Sequence, residues 1–160
     1  PTHATSDMYW AEERLGSERI KTAYAYQDLL KQNGWVALGT DFPVEDINPF
    51  KTFLASVARK DAQNYPENGF QRENALTREQ TLRGMTIWAA KSVFQEKERG
   101  SLEVGKNADF IILSQNLMTV NERDILKTQV LQTFVDGKKV HQENERKRFG
   151  LVEIIDDTKK

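Results

Sequence analysis

Hydrophobic positions in the first part of the chain have helical spacing and then form one short unbroken run. Apolar residues at helical spacing follow Ser17, a residue type that caps helices, and Gly34 ends the helix they predict. The run 35–40, WVALGT, is almost wholly apolar, which favours a strand covered on both faces, as in a parallel sheet. Asp41 follows directly, and Pro43 ends strand geometry because proline lacks the ladder N–H. The pattern predicts a carboxylate at the C-terminal end of a buried strand.

Two further helices are predicted downstream. Asn48 and Pro49, a capping residue and a proline at the first helical position, precede apolar residues at helical spacing, namely Phe50, Phe53, Leu54 and Val57. Thr77 and Gln80 have the capping-box spacing and open a helix whose apolar face carries Leu82, Met85, Ala89 and Val93. Between these helices, residues 61–74 predict a long loop, which is either a functional lid or binding loop or a tolerated surface excursion.

From Gly100 onward the pattern changes to short strands. Residues 108–113 are rich in β-branched and aromatic side chains, and a second such run covers 130–135. Asp136-Gly137 is a strong hairpin signal, after which the chain returns through 139–141. These segments predict an antiparallel β lobe. The tail that follows is highly charged around 146–148 and has one apolar island, 151–155.

Composition narrows the classes of function. The 160 residues are 38% hydrophobic, with no run long enough to span a bilayer, and 24 acidic residues nearly balance 23 basic ones. Neither a membrane nor a nucleic acid is therefore expected as a partner. Cysteine is absent and histidine occurs twice, as His3 and His141, whereas a catalytic zinc site usually has three protein ligands. The chain begins with Pro1 and shows no leader pattern. We expect a piece of a longer polypeptide with an incomplete metal site.

Asp41 is the strongest chemical candidate on position alone. Barrels and open α/β sheets place their active sites at the C-terminal ends of parallel strands. A carboxylate there can bind a divalent metal and accept a proton from a water molecule that the metal has made more acidic. An aspartate after a strand is also often only the cap of the next turn, so both interpretations stay open on spacing.

A family resemblance favours the catalytic interpretation. The string GTDFPVE at 39–45, followed by Asn48-Pro49, resembles the eighth-strand signature of the amidohydrolase superfamily, in particular its amidohydrolase-3 branch of YtcJ-like and N-substituted formamide deformylase-like enzymes. The opening PTHATSD looks like the segment after that branch's seventh strand, and GSLEVGK at 100–106 resembles the start of the superfamily's β lobe. The resemblance covers roughly residues 1–140.

This resemblance implies an α/β fold. The chain would form the C-terminal part of a metal-dependent-hydrolase (β/α)8 TIM barrel, plus the C-terminal strands of a small composite β-sandwich domain. The implied division places the last barrel units in 1–98, the sandwich lobe in 99–142 and a charged tail in 143–160.

The resemblance also implies a chemistry. Asp41 would be both a metal ligand and the general base in hydrolysis of C–N bonds other than peptide bonds, with zinc as the expected metal and its other ligands outside this chain. His3 would bind substrate, although a loop-stabilising role is about as well supported. Glu45 could support the site, but a turn cap is the favoured explanation for it. Asp7, Arg59 and Asp61 resemble branch-typical positions, but solvated ion pairs explain them equally well. His141 is expected on the surface.

The implied partners are a small-molecule substrate and the missing N-terminal portion of the same protein. Alone, the chain is expected to be inactive, to bind zinc weakly and to hide its unpaired strand edge by self-association. A non-catalytic α/β binding or assembly module, with Asp41 as a turn cap, is the alternative. A nucleotide-binding domain is disfavoured because no glycine-rich phosphate loop joins a strand to a helix.

Overall fold

The computed structural model describes residues 1–143, in which short helices come first and a small sheet last. The predicted apolar island in the charged tail lies outside the described residues. The helices are α1 (Thr2–Asp7), α2 (Ala11–Arg19), α3 (Tyr26–Asn33), α4 (Pro49–Ala58), α5 (Arg78–Met85) and α6 (Ile87–Ser92), with 3₁₀ turns at Ile20–Thr22, Arg72–Asn74 and Glu122–Lys127. The strands are β1 (Phe110–Leu113), β2 (Val130–Val135) and β3 (Lys138–Gln142). No helix within 1–143 has the length and apolar character needed to cross a membrane.

The single helix predicted between Ser17 and Gly34 is wrong. Ser17 lies inside α2, one residue after a kink at Gly16, where φ is 77°. The chain leaves helical geometry again at Ala23, which is extended, and Tyr24 follows with φ of 57° before α3 begins. Tyr24 is held there by tertiary contacts, because its ring meets Phe70 edge-on and its hydroxyl bonds a distant carboxylate. The predicted stop is confirmed: Gly34 is left-handed, and its N–H donates to the Leu30 carbonyl at 2.7 Å.

The caps of α4 and α5 are confirmed in atomic detail. The Asn48 side chain accepts the Phe50 N–H at 2.9 Å. Thr77 Oγ1 accepts the Gln80 N–H at 3.1 Å, and Gln80 Oε1 accepts the Thr77 N–H at 2.8 Å. The predicted continuation of α5 to Val93 is wrong, because Thr86 adopts non-helical angles and separates α5 from α6.

Residues 35–40 are not a buried strand, which corrects the sequence prediction. The segment belongs to no helix or strand, and within it Leu38 is the buried side chain, while Ala37 and Gly39 are exposed. Its backbone instead meets α5, where the Leu38 N–H donates to the Gly84 carbonyl at 2.9 Å. A strand is defined by its hydrogen-bonded neighbour, and no segment of 1–143 pairs with this one.

The core of the molecule centres on α4. Its apolar residues Phe50, Phe53, Leu54 and Val57 cluster with Ile125, and side chains of the sheet pack against them. A second cluster joins Leu30, Leu38 and Leu76. The helical part and the β lobe therefore share buried contacts through α4.

The predicted antiparallel lobe is confirmed. The strand order is β1-β2-β3, and Phe110 pairs with Phe134, their rings stacked with centroids 4.5 Å apart. Asp136 and Gly137 both have positive φ, 50° and 71°, as a type I′ hairpin turn requires. His141 lies exposed on β3. Mixed helices and strands agree with the expected α/β class.

Candidate functional site

Asp41 lies at the start of a tight turn. Its φ is 58°, a left-handed conformation that aspartate tolerates better than most residues. Its carbonyl accepts the N–H groups of Val44 at 2.9 Å and Glu45 at 3.2 Å, and a cis peptide joins Phe42 to Pro43. This turn returns the chain so that Asp41 and Glu45 both face α1.

Helix α1 supplies polar partners for both carboxylates. His3 Nε2 lies 3.2 Å from Asp41 Oδ2 and 3.9 Å from Glu45 Oε1. Ser6 Oγ donates to Glu45 Oε1 at 2.5 Å. The structure therefore brings His3 and Asp41, both singled out from the sequence, into direct contact. The opening segment that carries His3 is the helix α1.

Exposure distinguishes the two carboxylates. The side chain of Asp41 is 57% exposed and that of Glu45 only 15%. Asp41 therefore keeps an open approach for a ligand, while Glu45 is mostly buried and is bonded by Ser6. Within residues 1–143, no group of three or more His, Cys, Asp or Glu residues is close enough to hold a metal ion. Asp41 offers carboxylate oxygens of the kind that divalent metals accept, so it fits as one member of a larger ligand set.

Two cavities flank α1. The first, called here the His3 cavity, has a volume of about 690 Å³ and is lined by His3, Asp7, Tyr24, Tyr26 and residues of α3. The second, of about 290 Å³, is lined by Glu45, Lys51, Lys60, Asp61 and hydroxyl groups of α1. Asp41 lines neither cavity, but it adjoins the larger one through His3.

Asp7 and Tyr24 form a polar pair in the wall of the His3 cavity. The Tyr24 hydroxyl donates to Asp7 Oδ2 at 2.8 Å. Burial, followed by this hydrogen bond and the charge of Asp7, raises the pKa of Tyr24 to about 12. The phenol therefore stays protonated and keeps donating at neutral pH.

Arg59 is fully buried at the end of α4, so a solvated ion pair does not explain it. Its Nε donates to the Phe70 carbonyl at 2.9 Å, and Nη2 donates to Gln71 Oε1 at 3.2 Å. The guanidinium lies over the rings of Tyr26, at 5.3 Å, and Phe70, at 5.8 Å. Burial lowers the pKa of Arg59. The sequence signal for this residue is weak, since nothing in the local pattern marks a charged side chain as interior.

Asp61 also differs from the solvated ion pair expected for it. Its side chain accepts the Tyr9 hydroxyl and the N–H groups of Gln63, at 2.8 Å, and Tyr65, at 2.9 Å. These bonds organise the first turn of the loop after α4, and the rings of Tyr9 and Tyr65 stack beside it. Asp61 is thus a loop-ordering residue.

Comparison with known proteins decides the family. A family model described as the amidohydrolase family matches residues 1–141. The chain belongs to the amidohydrolase family. Its relatives place it in the amidohydrolase-3 branch that the strand-end signature indicated.

Three curated relatives of this amidohydrolase chain come from different organisms. Protein LONG AFTER FAR-RED 3 of Arabidopsis thaliana is 36% identical, over 88% of this chain and 24% of its own length. Putative amidohydrolase YtcJ of Bacillus subtilis (strain 168) is 26% identical over 90% of this chain and 27% of its own. N-substituted formamide deformylase of Arthrobacter pascens is 30% identical over 64% of this chain and 18% of its own. The chain thus spans about a quarter or less of the length of these relatives.

Proposed function

We propose that this chain is the C-terminal portion of a metal-dependent amidohydrolase that hydrolyses C–N bonds, other than peptide bonds, in small molecules. The observation that carries the proposal is the half-exposed carboxylate of Asp41, with His3 Nε2 at 3.2 Å, inside the family's strand-end signature. Two relatives support the bond type by name, one a putative amidohydrolase and one a formamide deformylase.

The proposed architecture is the end of a (β/α)8 barrel in residues 1–98, C-terminal strands of a composite β-sandwich in 99–142 and a charged tail in 143–160. The unpaired segment 35–40 supports this arrangement. It is rich in apolar residues but has no strand neighbour within 1–143, so a strand from the rest of a longer protein would complete it.

Asp41 and His3 would have different roles in the reaction. Asp41 would help to hold the metal, and its carboxylate would accept a proton from the attacking water and return it to the leaving nitrogen. A divalent metal held there, zinc by the family resemblance, would supply an acidified water molecule, with a pKa of about 7 in known sites of this kind. His3 holds Asp41 through Oδ2, which leaves the other oxygen free, and it presents its ring to substrate in the adjoining cavity.

The remaining metal ligands are proposed to lie outside this chain, which is therefore inactive alone. His3 lies near Asp41 and Glu45, but among residues 1–143 these side chains do not form a group that could hold a metal ion, and Glu45 is occupied by Ser6. The partners of the site are thus a small-molecule substrate and the N-terminal portion of the same protein.

The test is Asp41→Asn in the protein that includes the upstream portion. We expect kcat/KM for amide hydrolysis to fall about 10²- to 10⁴-fold, because the amide cannot accept the proton of water. Steady-state turnover with a formamide or amide substrate measures this. Asp46→Asn is the matched control, since Asp46 is paired with Lys51 at 2.7 Å and should change turnover less than about twofold.

Unchanged turnover in Asp41→Asn would reject the proposal and favour the non-catalytic binding module, in which Asp41 only caps its turn. A similar loss in both variants would also reject it, since the effect would then not belong to Asp41.

A further inference from the structure

The lining of the His3 cavity indicates which kind of chemical group it binds, a point that the proposed function does not specify. Its walls come from α1, the segment 22–25 and α3, and its volume of about 690 Å³ lies in the usual range for small-molecule sites. Because His3 contacts both this cavity and Asp41, a substrate whose reacting bond lies at Asp41 can place its remote group here.

The charges lining the cavity favour a cation. Asp7 and Asp28 line it, and none of the lining residues among 1–143 is lysine or arginine. Asp28 contributes little, because Lys31 lies 3.5 Å from it on the exposed face of α3. Asp7 is the carboxylate that matters, since it is half-buried and has no cationic partner among the described ion pairs.

The hydrogen bonds of Asp7 leave one oxygen available. Oδ2 accepts the Tyr24 hydroxyl at 2.8 Å, whereas Oδ1 receives only a 3.4 Å contact from Ser6 Oγ. The Tyr24 bond fixes the carboxylate in the wall, so binding a ligand at Oδ1 requires little ordering.

Aromatic rings complete the arrangement. Tyr24 and Tyr26 both line the cavity, and a cation near a phenol ring is attracted by the ring's electron-rich face. Arg59 lies 5.3 Å from the centroid of Tyr26 and opposes a second positive charge at that ring. The favoured position for a ligand cation is therefore the Asp7 and Tyr24 end of the cavity.

We infer that the His3 cavity binds an ammonium group, with Asp7 as its counterion and Tyr24 as its aromatic wall. This inference rests on the proposed function in one respect, because it assigns the substrate class as an amide that carries an alkyl- or arylammonium group. Asp7 is a binding residue here and takes no part in the bond cleavage.

The test compares two probes of nearly equal shape, benzylammonium and neutral benzyl alcohol. We expect wild-type protein to bind benzylammonium about five- to tenfold more tightly at neutral pH, as a partly exposed carboxylate and a phenol ring allow. A proton NMR titration reports the position as well. The ring protons of His3 shift with benzylammonium and those of His141, exposed on β3, do not.

Variants assign the preference to a residue. Asp7→Asn retains an acceptor for Tyr24 and should bring the ratio of the two affinities close to one, while Asp28→Asn should leave it within about twofold of wild type. Equal binding of the two probes by wild-type protein overturns the inference, as does a preference that Asp28→Asn removes and Asp7→Asn retains. The wild-type comparison stands even where a variant does not fold.

Turnover plays no part in this readout, so the two proposals can fail separately. Equal probe binding together with a large loss of turnover in Asp41→Asn rejects the ammonium site and keeps the hydrolase. Selective ammonium binding with unchanged turnover in Asp41→Asn keeps the binding site but rejects its assignment to an amide substrate.

Discussion

Arg59 shows how much a single interior side chain can organise. It bonds the loop at Phe70 and Gln71, and it lies over Tyr26 at the start of α3. Gln71 in turn bonds the carbonyl of Ile20. The wall of the His3 cavity therefore depends on a residue that does not line it.

Truncation of this side chain tests that dependence. Arg59→Ala should lower the free energy of unfolding by about 2–4 kcal/mol, because it opens a cavity at a fully buried side chain and leaves two partly buried acceptors without their donor. Urea denaturation followed by circular dichroism measures the change. Arg83→Ala removes the same side chain from an exposed i,i+4 pair with Glu79 and should change stability by less than about 0.5 kcal/mol. Equal effects of the two substitutions would refute the role of Arg59.

The candidate residues of the site could be predicted where a family signature contains them. The contacts between those residues could not. The strand-end string singled out Asp41, and the opening string singled out His3. Their 3.2 Å approach, and the bond from Tyr24 to Asp7, join positions 38 and 17 residues apart in sequence. Local patterns carry no information on such pairs, because each pair joins residues that are distant in sequence and meet only in the folded chain.

At the scale of elements, α5 and the segment 35–40 fit together through Gly84. A Cβ atom there would lie 2.6 Å from Leu38 Cγ and 3.0 Å from the Val36 carbonyl oxygen. Alanine normally stabilises a helix interior relative to glycine, by about 0.5–1 kcal/mol. The close approach reverses that sign.

We therefore expect Gly84→Ala to lower stability by about 1–3 kcal/mol, the usual effect of overpacking a filled interface. Thermal unfolding followed by circular dichroism gives the measurement. Gly39→Ala serves as the control, because its added Cβ meets nothing within 4 Å and should change stability little. A Gly84→Ala variant that is more stable than wild type would show that α5 does not pack closely against the segment 35–40.

Elements that are defined by interactions between residues close in sequence could be predicted, and elements that need a distant partner could not. Caps at Asn48, Thr77 and Gly34 and the Asp136-Gly137 turn use residues a few positions apart, and all four are present. The segment 35–40 was predicted as a strand from its apolar run. A strand also needs a neighbour, which no pattern within one segment can supply.

At the scale of the whole described chain, large apolar side chains are exposed in two regions. Phe42, Val44 and Ile47 lie exposed in the turn after Asp41, and Phe94, 91% exposed, lies just after α6. Large apolar side chains left this exposed are candidates for an interface. The chain spans only about a quarter of the length of its relatives, which is consistent with a longer protein whose other parts cover these residues.

The isolated chain should therefore self-associate. Light scattering after size exclusion should give a mass that rises above 18.4 kDa as concentration increases through tens of micromolar. Replacing Val44, Ile47 and Phe94 by serine should shift the distribution toward monomer, while serine at exposed Thr119 should not. A compact, stable monomer at all concentrations would contradict both this expectation and the proposed barrel.

The left-handed backbone at Asp41 limits which residue types can replace it. Few side chains adopt a φ of 58° without strain, and asparagine is among those that do so most readily. Removal of the negative charge by asparagine thus preserves the turn, whereas glutamate or valine would add a conformational penalty of their own. If the proposed role of Asp41 holds, a replacement must satisfy both the left-handed backbone and the need for an acidic side chain, and among the common side chains aspartate meets both.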